Sequence, residues 1–164
     1  MKKPLFFLLL CLFLFSLFSA CSTKNDYATD IPVSELTNSV LSALDDDVHY
    51  RAAQDGYLND YFTLPNYVSE SSVCFAEDGN NLNEIGIYRV SPEHTDDMKE
   101  LLQNYLSSAL LKNEAWYNSY IPQETPKLRD AKVKIFGNYV VYAILSPKDQ
   151  SILFQSIQNK LSHA

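Results

Sequence analysis

The chain has 164 residues, with 13 lysines and arginines against 20 aspartates and glutamates, for a formal net charge of −7. That length suits one domain of ordinary size. The acidic balance excludes an electrostatic nucleic-acid binder, and it excludes a protein held on anionic lipid by its own charge.

The chain opens with Lys2 and Lys3, followed by an apolar run from Leu5 to Phe18 in which Ser16 is the only polar residue. Fourteen residues rise about 21 Å as a helix, too short for a hydrocarbon core of about 30 Å. A charged start, a short apolar middle and the small pair Ser19-Ala20 predict a signal peptide over residues 1–20. Cys21 follows directly, so the segment resembles the lipobox of bacterial lipoproteins, with Phe18 in the place usually held by leucine. The resemblance implies a thioether-linked diacylglycerol on Cys21 and cleavage before it. Two acyl chains suffice for stable anchoring. The mature chain then keeps 11 basic and 20 acidic residues, net −9. Cys11 leaves with the leader and Cys21 carries lipid, so Cys74 remains as a single thiol with no intramolecular partner. A buried, inert role suits it.

Residues 21–29 read as a lipidated polar tether, and 30–164 as a single globular domain. Val33, Leu36, Val40 and Leu44 recur at helical spacing, and Asp45-Asp46-Asp47 ends that helix. A second short helix is expected from Ala52 to Tyr61, closed by Pro65. The period then changes. Ser72–Ala76 and Ile85–Val90 read as strands joined by the turn-rich Asp78-Gly79-Asn80-Asn81. Ser91 and Pro92 suit the start of a long helix, with Met98, Leu101, Leu102, Tyr105, Leu106 and Ala109 as its apolar stripe. Trp116, Tyr117 and Tyr120 continue it, and Pro122 and Pro126 bracket a loop.

Ala131–Phe136 and Tyr139–Leu145 form the next two strands. Gly137-Asn138 is a two-residue hairpin signal, because glycine takes the positive φ the turn requires. That turn sets Phe136 opposite Tyr139, Lys134 opposite Val141 and Lys132 opposite Ala143. Ser146-Pro147 starts a last helix with Leu153, Ile157 and Leu161 inward. A shift of 55 residues aligns Ser91-Pro92 with Ser146-Pro147, Gln103-Asn104 with Gln158-Asn159, and Leu106-Ser107 with Leu161-Ser162. The expected fold is therefore α+β: two N-terminal helices, then two ββα units forming a four-stranded, mainly antiparallel sheet with helices on one face.

Pro126-x-Leu128-x-x-Ala131-x-Val133 leading into Gly137-Asn138-Tyr139-Val140, behind a lipobox and short helices, resembles a family of clostridial lipoproteins. That family is known as domain of unknown function 4358. The resemblance runs from Ile31 to Leu161. It implies an α+β envelope lipoprotein, and it assigns no activity and no catalytic residues.

Chemistry is sparse along the chain. His49, His94 and His163 are scattered, and no cysteine pair exists, so no metal site is expected. Asp45-Asp46-Asp47 reads as a charged loop. Asp78 to Glu84 faintly resembles a calcium loop but places Leu82 where a ligand belongs. There is no G-x-S-x-G elbow, no S-x-x-K motif and no glycine-rich phosphate loop. No cofactor and no catalytic residue are assigned.

The surface singled out is the second face of the last hairpin, carrying Lys132, Lys134, Phe136, Tyr139 and Val141. Two lysines and two aromatics together suit recognition. The alternative is a half-solvated sheet whose lysines guard its edge. Trp116, Tyr117 and Tyr120 are a second aromatic cluster. The functional expectation is a membrane-anchored extracytoplasmic lipoprotein on the outer face of the cell membrane. It would act as a noncatalytic binding or interaction module with an envelope protein, peptide or glycan as partner. The alternatives are an envelope hydrolase using a carboxylate pair and a structural or assembly lipoprotein.

Overall fold

The computed structural model describes residues 26–44, 47–54 and 56–162. The leader, Cys21, Asp45, Asp46 and His163 lie outside the described residues. The elements run α1 (Val33–Ala43), β1 (Tyr50–Ala52), β2 (Val68–Ala76) and β3 (Glu84–Val90). A 3-10 turn (Pro92–His94) leads into α2 (Thr95–Tyr120), and then come α3 (Thr125–Arg129), β4 (Lys132–Phe136), β5 (Tyr139–Ile144) and α4 (Pro147–Ser162). The five strands form one antiparallel sheet in the order β1-β2-β3-β5-β4.

The fold is α+β, with four differences from the expected details. The sheet has five strands because Tyr50–Ala52 add an edge strand on β2, pairing with Ala76, Phe75 and Cys74. The second N-terminal helix does not form. Its first residue ends β1, and Gly56 at φ 84° turns the chain through a run of tight turns to Tyr61. Pro122–Pro126 is not all loop, since Thr125–Arg129 close one short helix.

The fourth difference is in layering, because helices cover both faces of the sheet. Ile85, Ile87, Phe136, Tyr139, Val141 and Ala143 pack beneath α1 and α4, against Leu36, Val40, Leu153, Phe154 and Ile157. Tyr88, Val90, Val140 and Tyr142 pack on the other face beneath α2, against Met98, Leu102 and Tyr105. The 55-residue repeat explains why one face cannot hold both long helices. Val90 and its repeat partner Leu145 point to opposite sides of the sheet, so the helices that follow them leave to opposite sides. The two Ser-Pro starts also differ. Ser146 Oγ accepts the Asp149 backbone N–H at 3.2 Å, a true cap, whereas Ser91 makes no side-chain cap.

The last hairpin has the register that Gly137 dictates: Phe136 opposite Tyr139, Lys134 opposite Val141, and Lys132 opposite Ala143. Gly137 sits at φ 58°. The first described residues dock at this end of the sheet. Ala28 N–H donates to the Leu161 carbonyl at 3.0 Å, Asn138 Nδ2 donates to the Thr29 carbonyl at 3.1 Å, and Tyr27 meets Phe136 edge to face at 5.8 Å. Residues 27–29, expected in the tether, therefore lie against the domain. Tyr139 Oη donates to the Ile31 carbonyl at 2.7 Å, and a Glu70 oxygen accepts the Val33 N–H at 2.8 Å at the start of α1.

Candidate functional site

The hairpin residues singled out by sequence do not share one surface. Phe136 is 5% exposed and Tyr139 is fully buried, both under α1 and α4. Lys132 and Lys134 are exposed on the edge strand β4, and Lys134 Nζ lies 4.4 Å over the Phe154 ring. The lysines guard an edge and cap the core. Alternation placed these residues on one face correctly, but it gave no sign that two helices would cover that face.

The site that does assemble is centred on Glu84. It opens β3, in phase with Gly86 and Tyr88, and so faces the α2 side of the sheet. Only 6% of it is exposed. Tyr105 from α2 and Tyr142 from β5 each donate a hydroxyl to Glu84 Oε1 at 2.6 Å, and Tyr57 donates to Oε2 at 2.9 Å from the turn after β1. Gly86 makes this possible. The Tyr142 ring lies directly over it, and any Cβ at position 86 would fall 2.0 Å from Tyr142 Cε1.

Among the described residues no ion pair involves Glu84. A buried carboxylate without a cation must be held by hydrogen bonds, and three hydroxyls do so here. The tyrosines register that charge. Burial first, and the Glu84 charge second, push the Tyr57, Tyr105 and Tyr142 hydroxyls well above their ordinary range, and Tyr88 moves the same way.

A cleft of about 200 Å³ opens beside this nest, and its lining includes Glu84, Tyr57, Tyr61, Tyr105, Tyr117 and Phe75. Its charged lining is Glu84, Glu77 and Asp78 against Arg51 alone. Tyr57 stacks on Phe75 at 5.0 Å, and Arg51 lies over the same ring at 4.4 Å. Tyr61 meets Tyr105 edge to face at 4.9 Å. The loop residues Asn81 and Asn83, expected to be turn residues, turn their amide oxygens to Lys127. Its Nζ donates to Asn83 Oδ1 at 2.8 Å, to Asn81 Oδ1 at 3.3 Å and to Glu124 Oε2 at 2.6 Å. The loop that resembles a calcium binder thus already holds an ammonium group. No group of three His, Cys, Asp or Glu side chains able to hold a metal occurs among the described residues.

Other clefts are less equipped. The groove of about 700 Å³ between α1 and α4 mixes Ile31, Ala43 and Ile152 with Ser39, Ser156 and Asn159, and its two charges, Glu35 and Lys160, are already paired at 2.7 Å. Cys74 is buried, and that burial raises its thiol above the usual range, which makes it a poor nucleophile. His94 stacks on Tyr67 and pairs with Asp97 at 2.7 Å.

Sequence reasoning missed Glu84, Tyr57, Tyr105 and Tyr142 as a unit. One signal was available: Glu84 is an acid in phase with the apolar positions of a strand. The chain matches no protein-family model, no curated protein and no solved structure.

Proposed function

We propose that this chain is a membrane-anchored extracytoplasmic lipoprotein acting as a noncatalytic binding module, with its recognition end turned away from the membrane. The anchoring part rests on the leader pattern ending at Cys21. From Cys21 to Asp26 the chain can span at most about 18 Å. It then docks beside Leu161 and Asn138, at the β4–β5 turn. Glu84 pairs with Ile144 at the other end of the central strands, about 20 Å away at the rise of a strand. A short tether at one end leaves the cleft at the far end.

One observation carries the binding reading. Among the described residues, the large hydrophobic side chains left exposed are Tyr57, Tyr61, Leu64, Trp116 and Tyr120. Tyr57 and Tyr61 line the cleft from the turns after β1, Leu64 follows them on the same segment, and Trp116 and Tyr120 lie on the last turns of α2. Trp116 is 51% and Tyr120 is 70% exposed, and the two rings stack at 4.9 Å. Clustered exposed aromatics suit recognition. The hydrolase alternative would need two free carboxyl groups facing each other across a cleft. Glu84 instead spends its oxygens on three hydroxyls, and Glu77 and Asp78 are exposed.

Two measurements test this. Cys21→Ser should abolish incorporation of labelled palmitate and release the protein from the membrane fraction; retained label would overturn the anchor. Trp116→Ala with Tyr120→Ala should leave unfolding free energy within about 0.5 kcal/mol, as for surface changes away from packing. A loss above about 2 kcal/mol would make these rings part of the core and remove the recognition surface.

A further inference from the structure

We infer that the Glu84 cleft binds a small organic ammonium group. This inference rests on the binding-module reading and names its ligand chemistry. Three independent features of the cleft agree on a cation. The first is charge: Glu84, Glu77 and Asp78 line it against Arg51, with Lys112 near its Tyr61 wall and Lys127 beside it already paired with Glu124, in a protein at net −7. Such a cleft concentrates cations and repels anions.

The second feature is the ring lining. Tyr57, Tyr61, Tyr105, Tyr117 and Phe75 surround the cleft, and aromatic rings present a negative face. Aromatic walls closed by a carboxylate favour weakly hydrated ammonium ions over metal ions, which need several oxygen ligands. The chain's own cations show this preference. Arg51 sits over Phe75 at 4.4 Å and Lys112 Nζ lies 5.4 Å from the Tyr61 ring centre, both on rings of this cleft.

The third feature is the unpaired charge. Glu84 is buried without an ion-pair partner among the described residues, and three hydroxyls orient around it. A carboxylate offers about four acceptor sites, so three hydroxyls leave Glu84 capacity for one further donor, which an ammonium group supplies together with a charge. The size fits a head group. About 200 Å³ lies below the range of drug-sized pockets, so the cleft takes the end of a molecule rather than the whole. Its position at the far end from the tether means that the ligand comes from the outer medium or a neighbouring envelope molecule.

The probes are choline, n-butylammonium and the neutral carbon isostere of choline, each titrated into the full chain held in neutral detergent micelles. The readouts are Trp116 fluorescence and tyrosine ring proton shifts. Choline or n-butylammonium should saturate the cleft and shift Tyr57, Tyr61 and Tyr117, while the isostere binds at least tenfold more weakly. Preference for choline marks a quaternary head group, and preference for n-butylammonium marks a lysine-like amine. Glu84→Gln should weaken binding at least tenfold. Tyr117→Leu changes a half-buried rim residue and keeps the test open if Glu84→Gln fails to fold; it should weaken binding severalfold with thermal stability nearly unchanged. Failure of both cations to bind, equal binding of the isostere, or a folded variant binding like the original would overturn the inference. None of these outcomes touches palmitate labelling at Cys21, so failure here is distinct from failure of the anchored-module reading.

Discussion

Raising the pH above about 10 should unfold this domain steeply, with phenolate absorption and loss of secondary structure appearing together. Tyr88, Tyr105 and Tyr142 are at most 5% exposed, and burial and the Glu84 charge raise all three above their ordinary range. In the unfolded chain a tyrosine ionises near pH 10. Between that pH and its folded value, the folded state holds a proton that the unfolded state has released. The stabilisation is therefore complete below about pH 10 and is lost as pH rises. Each such group removes about 1.4 kcal/mol per pH unit, so three remove about 4 kcal/mol per unit. A domain with about 5–15 kcal/mol to lose should then unfold between about pH 11 and pH 14. Circular dichroism and phenolate absorbance recorded along one alkaline titration check this. Tyr88→Phe keeps the ring and removes one titrating group, so it should flatten the slope by about a third. Phenolate formation by all eleven tyrosines with unchanged secondary structure would contradict the buried nest.

The same residues show what was legible in the sequence. Local chemistry was readable wherever one residue decides it. Gly137 fixed a hairpin and its register, Ser146-Pro147 started α4, and the stripe from Met98 to Leu106 marked α2. The layering was not readable. Alternation in β5 offers two apolar faces, Val141 with Ala143 and Val140 with Tyr142, and both are fully buried. Period alone says that a face is apolar, and it does not say which helix covers it. The Ser-Pro repeat suggested two equivalent units on one side, while Val90 and Leu145 send their helices to opposite sides.

The site was harder still, because its members come from four separate segments. Tyr57, Glu84, Tyr105 and Tyr142 are brought together by the sheet order and by α2 crossing it. With eleven tyrosines in the chain, no spacing distinguishes the three that matter. Tyr117 and Trp116 were visible as neighbours on α2 but divide by function. Tyr117 lines the cleft and Trp116 faces solvent, because residues one apart on a helix point about 100° from each other. The edge strand β1 was missed because its three residues carry no period of their own, and only its last, Ala52, fell within the expected helix.

Gly86 is the residue on which fold and site depend together, and Gly86→Ala should be among the most damaging single-methyl changes in the chain. An added Cβ would meet Tyr142 Cε1 at 2.0 Å, Cδ1 at 2.6 Å and Cζ at 2.7 Å. The ring has no free end to yield. It is fully buried, contacts Tyr105 edge to face at 5.6 Å, and is held at its hydroxyl by Glu84 at 2.6 Å. Overpacking of this kind costs about 1–3 kcal/mol where a side chain can adjust. Here the ring can move only by leaving Glu84, which adds the cost of an unpaired buried donor, again about 1–3 kcal/mol. The expected loss is about 3–5 kcal/mol, read as a fall in Tm of about 10 °C or more. Gly79→Ala, with nothing within 4 Å of the new Cβ, should stay within about 0.5 kcal/mol of the original. A double-mutant cycle separates the collision from any intrinsic dislike of alanine in the strand. In a Tyr142→Ala background the added methyl enters the space the ring left, so Gly86→Ala should become nearly neutral there, with a coupling above about 2 kcal/mol. Additive losses would mean that the strand, and not the ring, sets the need for glycine. With the ring as the cause, the glycine is what lets an aromatic hydroxyl reach a buried carboxylate at the end of the sheet opposite the β4–β5 turn.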